Sequence, residues 1–252
     1  MPGVADAVLS ARAAVDMLLG HRMVRRRGAE VAAEAGLRGA RASAALEGRA
    51  VALADVRAGG VGDPVVQGAL RVSAELGPLA ETWPQAPRQV LARLHALVAA
   101  ESVEPERLGR PRTGGEEVDD PLELGPAPEP AVVSTRLHTL MELLTKPSEA
   151  PALVVGAVVH GELLALRPFG TGDGIVARAA ERVVLIARGL DPKALVAPEV
   201  GHAEHQEGYV RALRGYVAGT STGVAGWVRH CADAITVAAR DSLAVCEALQ
   251  RG

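Results

Sequence analysis

Residues Ala152 to Leu166, ALVVGAVVHGELLAL, form an almost wholly apolar run that meets a tight turn holding Pro168, Gly170, Gly172 and Gly174. A helix that is apolar on every side offers no face to water, so this run is expected to be a central core helix. A second helical run follows to Arg188, where Gly189 and Pro192 stop it. Glycines let the turn take positive φ, and the free N–H groups that open the second helix make a natural anion site. Any chemistry is therefore expected at the turn.

Hydrophobic residues are 48% of the 252 and aromatics only 2%, so the core has to be built from Ala, Leu and Val. Small aliphatic side chains favour close-packed helices, and the expected fold class is all-α, with a chain long enough to bury a sizeable core. Net charge is -3, and no basic stripe interleaved with aromatics marks a nucleic-acid surface. The cluster Arg22, Arg25, Arg26 and Arg27 reads as a solvated helical face. No uncharged apolar run reaches the roughly 18 residues that a membrane span needs, and Met1 to Asp6 lack the pattern of a secretory signal. Cys231 and Cys246 have no ligand spacing and read as buried reduced thiols, which suits a cytoplasmic protein.

The turn carries a resemblance. Arg167-Pro168-Phe169-Gly170-Thr171-Gly172-Asp173-Gly174-Ile175-Val176-Ala177-Arg178 resembles the Fic (Fido) motif, HPFx(D/E)GNGRxxR, with the Pro-Phe, both loop glycines and the last arginine kept. Fic proteins are helical enzymes that mostly transfer AMP from ATP to a protein hydroxyl. Upstream, Ser43, Glu47 and Gly48 in ASAALEG resemble the family's inhibitory motif, (S/T)xxxE(G/N), and Ala52 to Val56 looks like its continuation. Where that motif precedes the core, the resemblance implies that Glu47 pairs with Arg178 and blocks productive ATP binding. From the residues alone, Glu47 is a carboxylate at a helix end, with Gly48 placed as a C′ glycine.

The departures from the motif fall on the groups that do chemistry. Arg167 stands where the family's histidine takes the proton of the target hydroxyl, and a guanidinium offers donors only. Thr171 replaces the carboxylate that holds Mg²⁺; its neutral hydroxyl does not offset the ion's charge. Asp173 replaces an asparagine and brings negative charge toward phosphate, or else serves as an N-cap of the second helix. Ile175 replaces the first phosphate-binding arginine. Arg167, Gly172, Asp173, Gly174 and Arg178 remain as nucleotide or anion candidates, and ATP with Mg²⁺ is implied by the resemblance only.

Around the motif the chain divides into N-terminal helices (1–87, with the inhibitory-type segment 43–48), a core (88–217, with the motif loop 167–178) and a closing helix (218–252). Val4 to Ala35 reads as two helices or one kinked near Gly28. Pro64–Glu81 and Pro87–Ala100 are amphipathic helices opened by proline, and His95 within the second reads as a packed histidine. Glu101 to Pro130, acidic and proline-rich, is an irregular excursion or a disordered loop; the resemblance places a small hairpin flap there, after Arg112-Thr113. Ser134 is a plausible cap for a helix to Lys146. Glu199–Val217 and Val224–Leu249 supply further helix. His202 and His205 are three apart, unlike the four of HExxH, and read as surface residues. Gly208-Tyr209 and Trp227 sit where the family often has aromatic packing residues.

Other nucleotide sites fail: Gly170-x-Gly172-x-Gly174 is not GxGxxG and follows a helix, and neither a P-loop nor a nucleophile elbow is present. Three functions stay open. One is a non-catalytic Fic relative that regulates or interacts, with or without weak binding of a nucleotide or anion. A second is a divergent transferase moving AMP or another phosphate-containing group, with Asp173 or His160 as base. The third is a structural interaction protein with a vestigial pocket. A protein target or partner and a homodimer are compatible with each.

Overall fold

The computed structural model describes residues 1–251, and among these there are eleven α-helices and no strand. In chain order they are α1 (Val4–Gly20), α2 (Arg22–Leu46), α3 (Leu53–Ala58), α4 (Pro64–Thr82), α5 (Pro87–Ala99), α6 (Pro130–Thr145), α7 (Ala152–Leu166), α8 (Asp173–Ala187), α9 (Pro198–Glu204), α10 (Gln206–Val217) and α11 (Ser221–Arg251). Helices α7 and α8 form an antiparallel hairpin at the centre. Helices α2, α4 and α5 pack against α8, and α10 and α11 against α7; α2 also packs on α9 and α11, and α1 lies along α11.

Local chemistry sets most of the helix ends. Proline at the first turn opens α4, α5, α6 and α9, where its missing N–H leaves nothing unsatisfied. Asp63 caps α4 by accepting from the amides of Val65 and Val66. Helix α2 closes on Gly48 at φ 80°, with the Arg49 amide donating to the Ala44 carbonyl at 2.9 Å. Burial then holds the elements in place: Leu153, Leu163 and Leu166 of α7, Leu185 of α8 and Trp227 of α11 are almost wholly excluded from water. Each such side chain contributes at most about 2–3 kcal/mol.

Several expectations are corrected. The first break falls at His21, whose Nδ1 accepts from the Met23 amide, and the backbone kinks at Arg27 (φ -136°), beside Gly28. Ser134 is no cap: Pro130 starts α6 a turn earlier and Ser134 is exposed inside it. His205 splits the run after Glu199 into α9 and α10. His202 is not a surface residue but fully buried, whereas His205 is exposed. A seven-residue helix sinks that far because Gly201 lets its backbone lie against Ala234 of α11; a Cβ at Gly201 would strike that backbone.

The stretch from Glu101 to Pro130 is neither loose nor a hairpin. It lies over the α7–α8 turn and is tied to it by backbone bonds, the Arg112 amide to the Pro168 carbonyl and the Asp119 amide to the Gly170 carbonyl, both 2.8 Å. The Arg112 Nε adds a bond to the Arg167 carbonyl at 3.0 Å, and its Nη2 reaches the carbonyl of Pro128. Glu116 folds the tip by accepting from the amides of Thr113 and Gly114, which hold its carboxyl down to about 2.

Candidate functional site

Helix α8 is buried from Asp173 to Leu185, yet it carries Asp173, Arg178, Glu181 and Arg182. Charged groups survive in such a place only with partners, and each of these finds them on other segments. Gly174, Arg178 and Arg182 recur at every fourth residue and so share one face.

Arg178 and the inhibitory-type residues meet on that face. The Arg178 guanidinium is fully buried; its Nη2 donates to Glu47 Oε1 at 2.6 Å and to the Ser43 carbonyl at 3.1 Å, and its Nε to Ser43 Oγ at 2.8 Å. Burial opposes its charge, but the Glu47 carboxylate and the Tyr209 hydroxyl outweigh burial and its pKa moves up. The Glu47 carboxylate lies against Gly174, where any Cβ would collide with Oε1. Only glycine leaves room there.

Two amides of the turn are satisfied from within. Gly170 (φ 83°) and Gly172 (φ 70°) are left-handed, as the glycine pattern requires. Gly172 occupies the N-cap position of α8, so Asp173 is the first helical residue rather than the cap expected of it. Its carboxylate folds back, Oδ1 accepting from the Phe169 amide at 3.0 Å and Oδ2 from the Gly170 amide at 2.7 Å. Burial pushes the Asp173 carboxyl up to about 7, against the pull of those two N–H groups. With Glu47 close by, the chain's own carboxylates stand at the positive end of α8.

Arg167 ends α7 in the left-handed region (φ 43°) and is buried. Its guanidinium turns to the covering segment, with Nη2 donating to the Gly125 carbonyl at 2.8 Å and Nη1 3.3 Å from Asp120 Oδ1. Phe169 stacks on His95 of α5, ring centres 4.3 Å apart, while His95 Nδ1 accepts from the Gly109 amide at 2.9 Å. Burial pushes His95 down to about 4, so its ring is neutral. Thr171 and Gly172 open onto a cavity of about 340 Å³ whose charged lining is Glu47, Arg49, Asp119 and Asp120. Ile175 adds an apolar wall. His160 does not face the turn; its ring bonds to Glu181 and Tyr209 in the core.

Fold and site together define an all-helical protein built on a glycine turn between two core helices, covered by an irregular segment and braced by a glutamate from the N-terminal side. No protein-family model matches the chain, and no curated protein matches it. Solved structures do. A Fic family protein from Desulfovibrio desulfuricans G20 is similar over 97% of this chain and 75% of its own, with a TM-score of 0.76 and 22% identity. Fic-1 from C. elegans is similar over 97% and 73%, with a TM-score of 0.70 and 19% identity; its Glu-to-Gly variant gives 0.70 at 17%. The chain has the Fic fold.

None of the helices is long and apolar enough to cross a membrane among the described residues. Sequence reading missed the internal use of the turn amides by Asp173 and the engagement of Arg167 by the covering segment. The only signal for either was the type of residue that replaced the motif's own.

Proposed function

We propose that the protein is a Fic relative without transferase chemistry, whose role is regulatory and is exercised by contact with a protein partner. The observation that carries this reading is the internal engagement of the motif's own side chains: the Asp173 carboxylate is held by the Phe169 and Gly170 amides, and the guanidinium at the histidine position is held by Gly125 and Asp120. A general base needs a free lone pair within reach of the hydroxyl it serves. Arg167 has none, both Asp173 oxygens are taken inside the turn, and His160 is engaged in the core. That weighs against the divergent transferase with either residue as base.

The residues present do not fit a magnesium nucleotide. Thr171 lacks the charge the ion calls for, Ile175 offers phosphate nothing, and the cavity beside them is lined by three carboxylates and one guanidinium. Arg178 is already paired with Glu47. The reading includes a cytoplasmic setting, in which the buried, unpaired Cys231 and Cys246 stay reduced. Calorimetric titration of the full chain with ATP and Mg²⁺ tests the site: no saturable heat is expected up to about millimolar nucleotide, a range where a binder would release measurable heat. Saturable binding that is lost in Arg178→Ala would contradict this reading and restore a nucleotide-binding role.

A further inference from the structure

Behind the turn, four helices each bring one donor side chain to a single buried point. They are His160 of α7, Glu181 of α8, His202 of α9 and Cys231 of α11, all with 0% exposure. One ligand atom from each lies within 4.8 Å of those from the other three. We propose that these four residues bind a structural zinc ion that fastens α7, α8, α9 and α11 together.

The donor set suits that ion. Two borderline imidazoles, a soft thiolate and one hard carboxylate oxygen are a mixed set that zinc takes, unlike the all-oxygen cages of calcium or magnesium. Zinc bonds of about 2.0–2.3 Å make a tetrahedron with edges of roughly 3.3–3.8 Å. Glu181 Oε2 is 3.4 Å from His202 Nε2, one edge as it stands, and 2.7 Å from His160 Nδ1, a hydrogen bond that opens by about 0.6 Å when the ion enters. The longest separations close with side-chain shifts of about 1 Å.

The outer nitrogens are also provided for. His160 Nε2 is 2.9 Å from the Tyr209 hydroxyl, and His202 Nδ1 is 3.1 Å from His230 Nε2. An imidazole that binds a metal donates its second N–H to an acceptor, and the Tyr209 hydroxyl oxygen and a His230 lone pair are able to serve, which fixes the other lone pair toward the ion. Glu181 Oε1, by contrast, is buried with no hydrogen-bond partner. A buried carboxylate with only one oxygen hydrogen-bonded carries a charge its neighbours only partly offset, and a cation on Oε2 supplies that compensation. Charge balances too: on binding, Cys231 gives up its thiol proton, and thiolate plus carboxylate neutralise Zn²⁺.

Four protein ligands leave no open position, which marks a structural rather than a hydrolytic ion. Entry has a route, because the half-buried His230 lines an open groove with His205, Glu207, Arg211 and Asp233 and touches His202 from it.

The full chain, purified without added metal and dialysed against metal-free buffer, is expected to retain about one zinc per molecule by emission spectrometry. Replacing zinc by Co²⁺ is expected to give a thiolate-to-cobalt charge-transfer band that Cys246→Ser keeps and Cys231→Ser loses. His202→Gln provides a second variant, expected to lower zinc affinity at least tenfold. Wild-type protein that takes up neither Zn²⁺ nor Co²⁺ in stoichiometric amount, or a band that survives Cys231→Ser, would overturn the proposal.

Discussion

Glu47 closes α2 and Arg178 lies on α8, and the two meet at 2.6 Å around a guanidinium that water does not reach. The pair links the N-terminal helices to the central hairpin across Gly174. Losing one partner strands the other. Glu47→Gln is expected to cost about 2–4 kcal/mol in urea denaturation, because the Arg178 charge stays buried with only the neutral Ser43 and Tyr209 to serve it. The double variant Glu47→Gln, Arg178→Met is expected to lose less than the sum of the singles; full additivity would mean that the contact contributes nothing.

Gly174 is where that link is most easily broken. Alanine is ordinarily favoured over glycine in a helix, yet here its Cβ meets Glu47 Oε1. Gly174→Ala is expected to destabilise by about 1–3 kcal/mol through displacement of the carboxylate. Gly28→Ala, with nothing within 4 Å of its Cβ, is expected to gain about 0.5–1 kcal/mol. Thermal melts of the two variants should move in opposite directions.

Asp173 makes stability depend on pH. Its folded pKa of about 7 lies above the ordinary 3.8, so between those values the folded state holds a proton that the unfolded state has released. Its contribution is therefore complete below pH 3.8, declines as pH rises to about 7 and is flat beyond, with a slope that approaches about 1.4 kcal/mol per pH unit. Asp173→Asn removes this slope while adding a constant penalty, since its amide NH₂ meets a backbone N–H. Denaturation curves from pH 4 to pH 8 should show the wild-type advantage over the variant shrinking as pH rises.

Arg112 fastens the covering segment. Its side chain donates to the carbonyls of Arg167, Pro128 and Leu166. Arg112→Ala is expected to free residues 108–128 locally at a cost of about 1–2 kcal/mol, with global unfolding little changed. Limited proteolysis should then cut within that segment first, and hydrogen exchange at the Asp119 amide should rise.

Much of this was legible in the sequence because it rests on local rules. The apolar run 152–166 is α7 to the residue, and Gly48 ends α2 as its position implied. What escaped notice depends on segments far apart in the chain. Composition makes 101–130 look loose, but its order comes from carbonyls of Pro168 and Gly170 on the turn. His202 lies two and three residues before the exposed Glu204 and His205 in a short polar helix, and its burial is decided by Gly201 against α11. Ser134 obeys the capping preference, and Pro130 overrides it by starting the helix earlier. The use Asp173 makes of the turn amides could not be read from its type, because an N-cap and a fold-back carboxylate call for the same residue.

The most direct measurement is transfer itself: ATP labelled at its α-phosphate, incubated with wild type and with Glu47→Gly, each with and without lysate, in Mg²⁺ and in Mn²⁺. A turn that lacks a free base and sets Asp173 and Glu47 at the start of α8 predicts no label on any protein in either form. Metal-dependent label on the chain or on a lysate protein, above all one that appears when Glu47 is removed, would contradict the account.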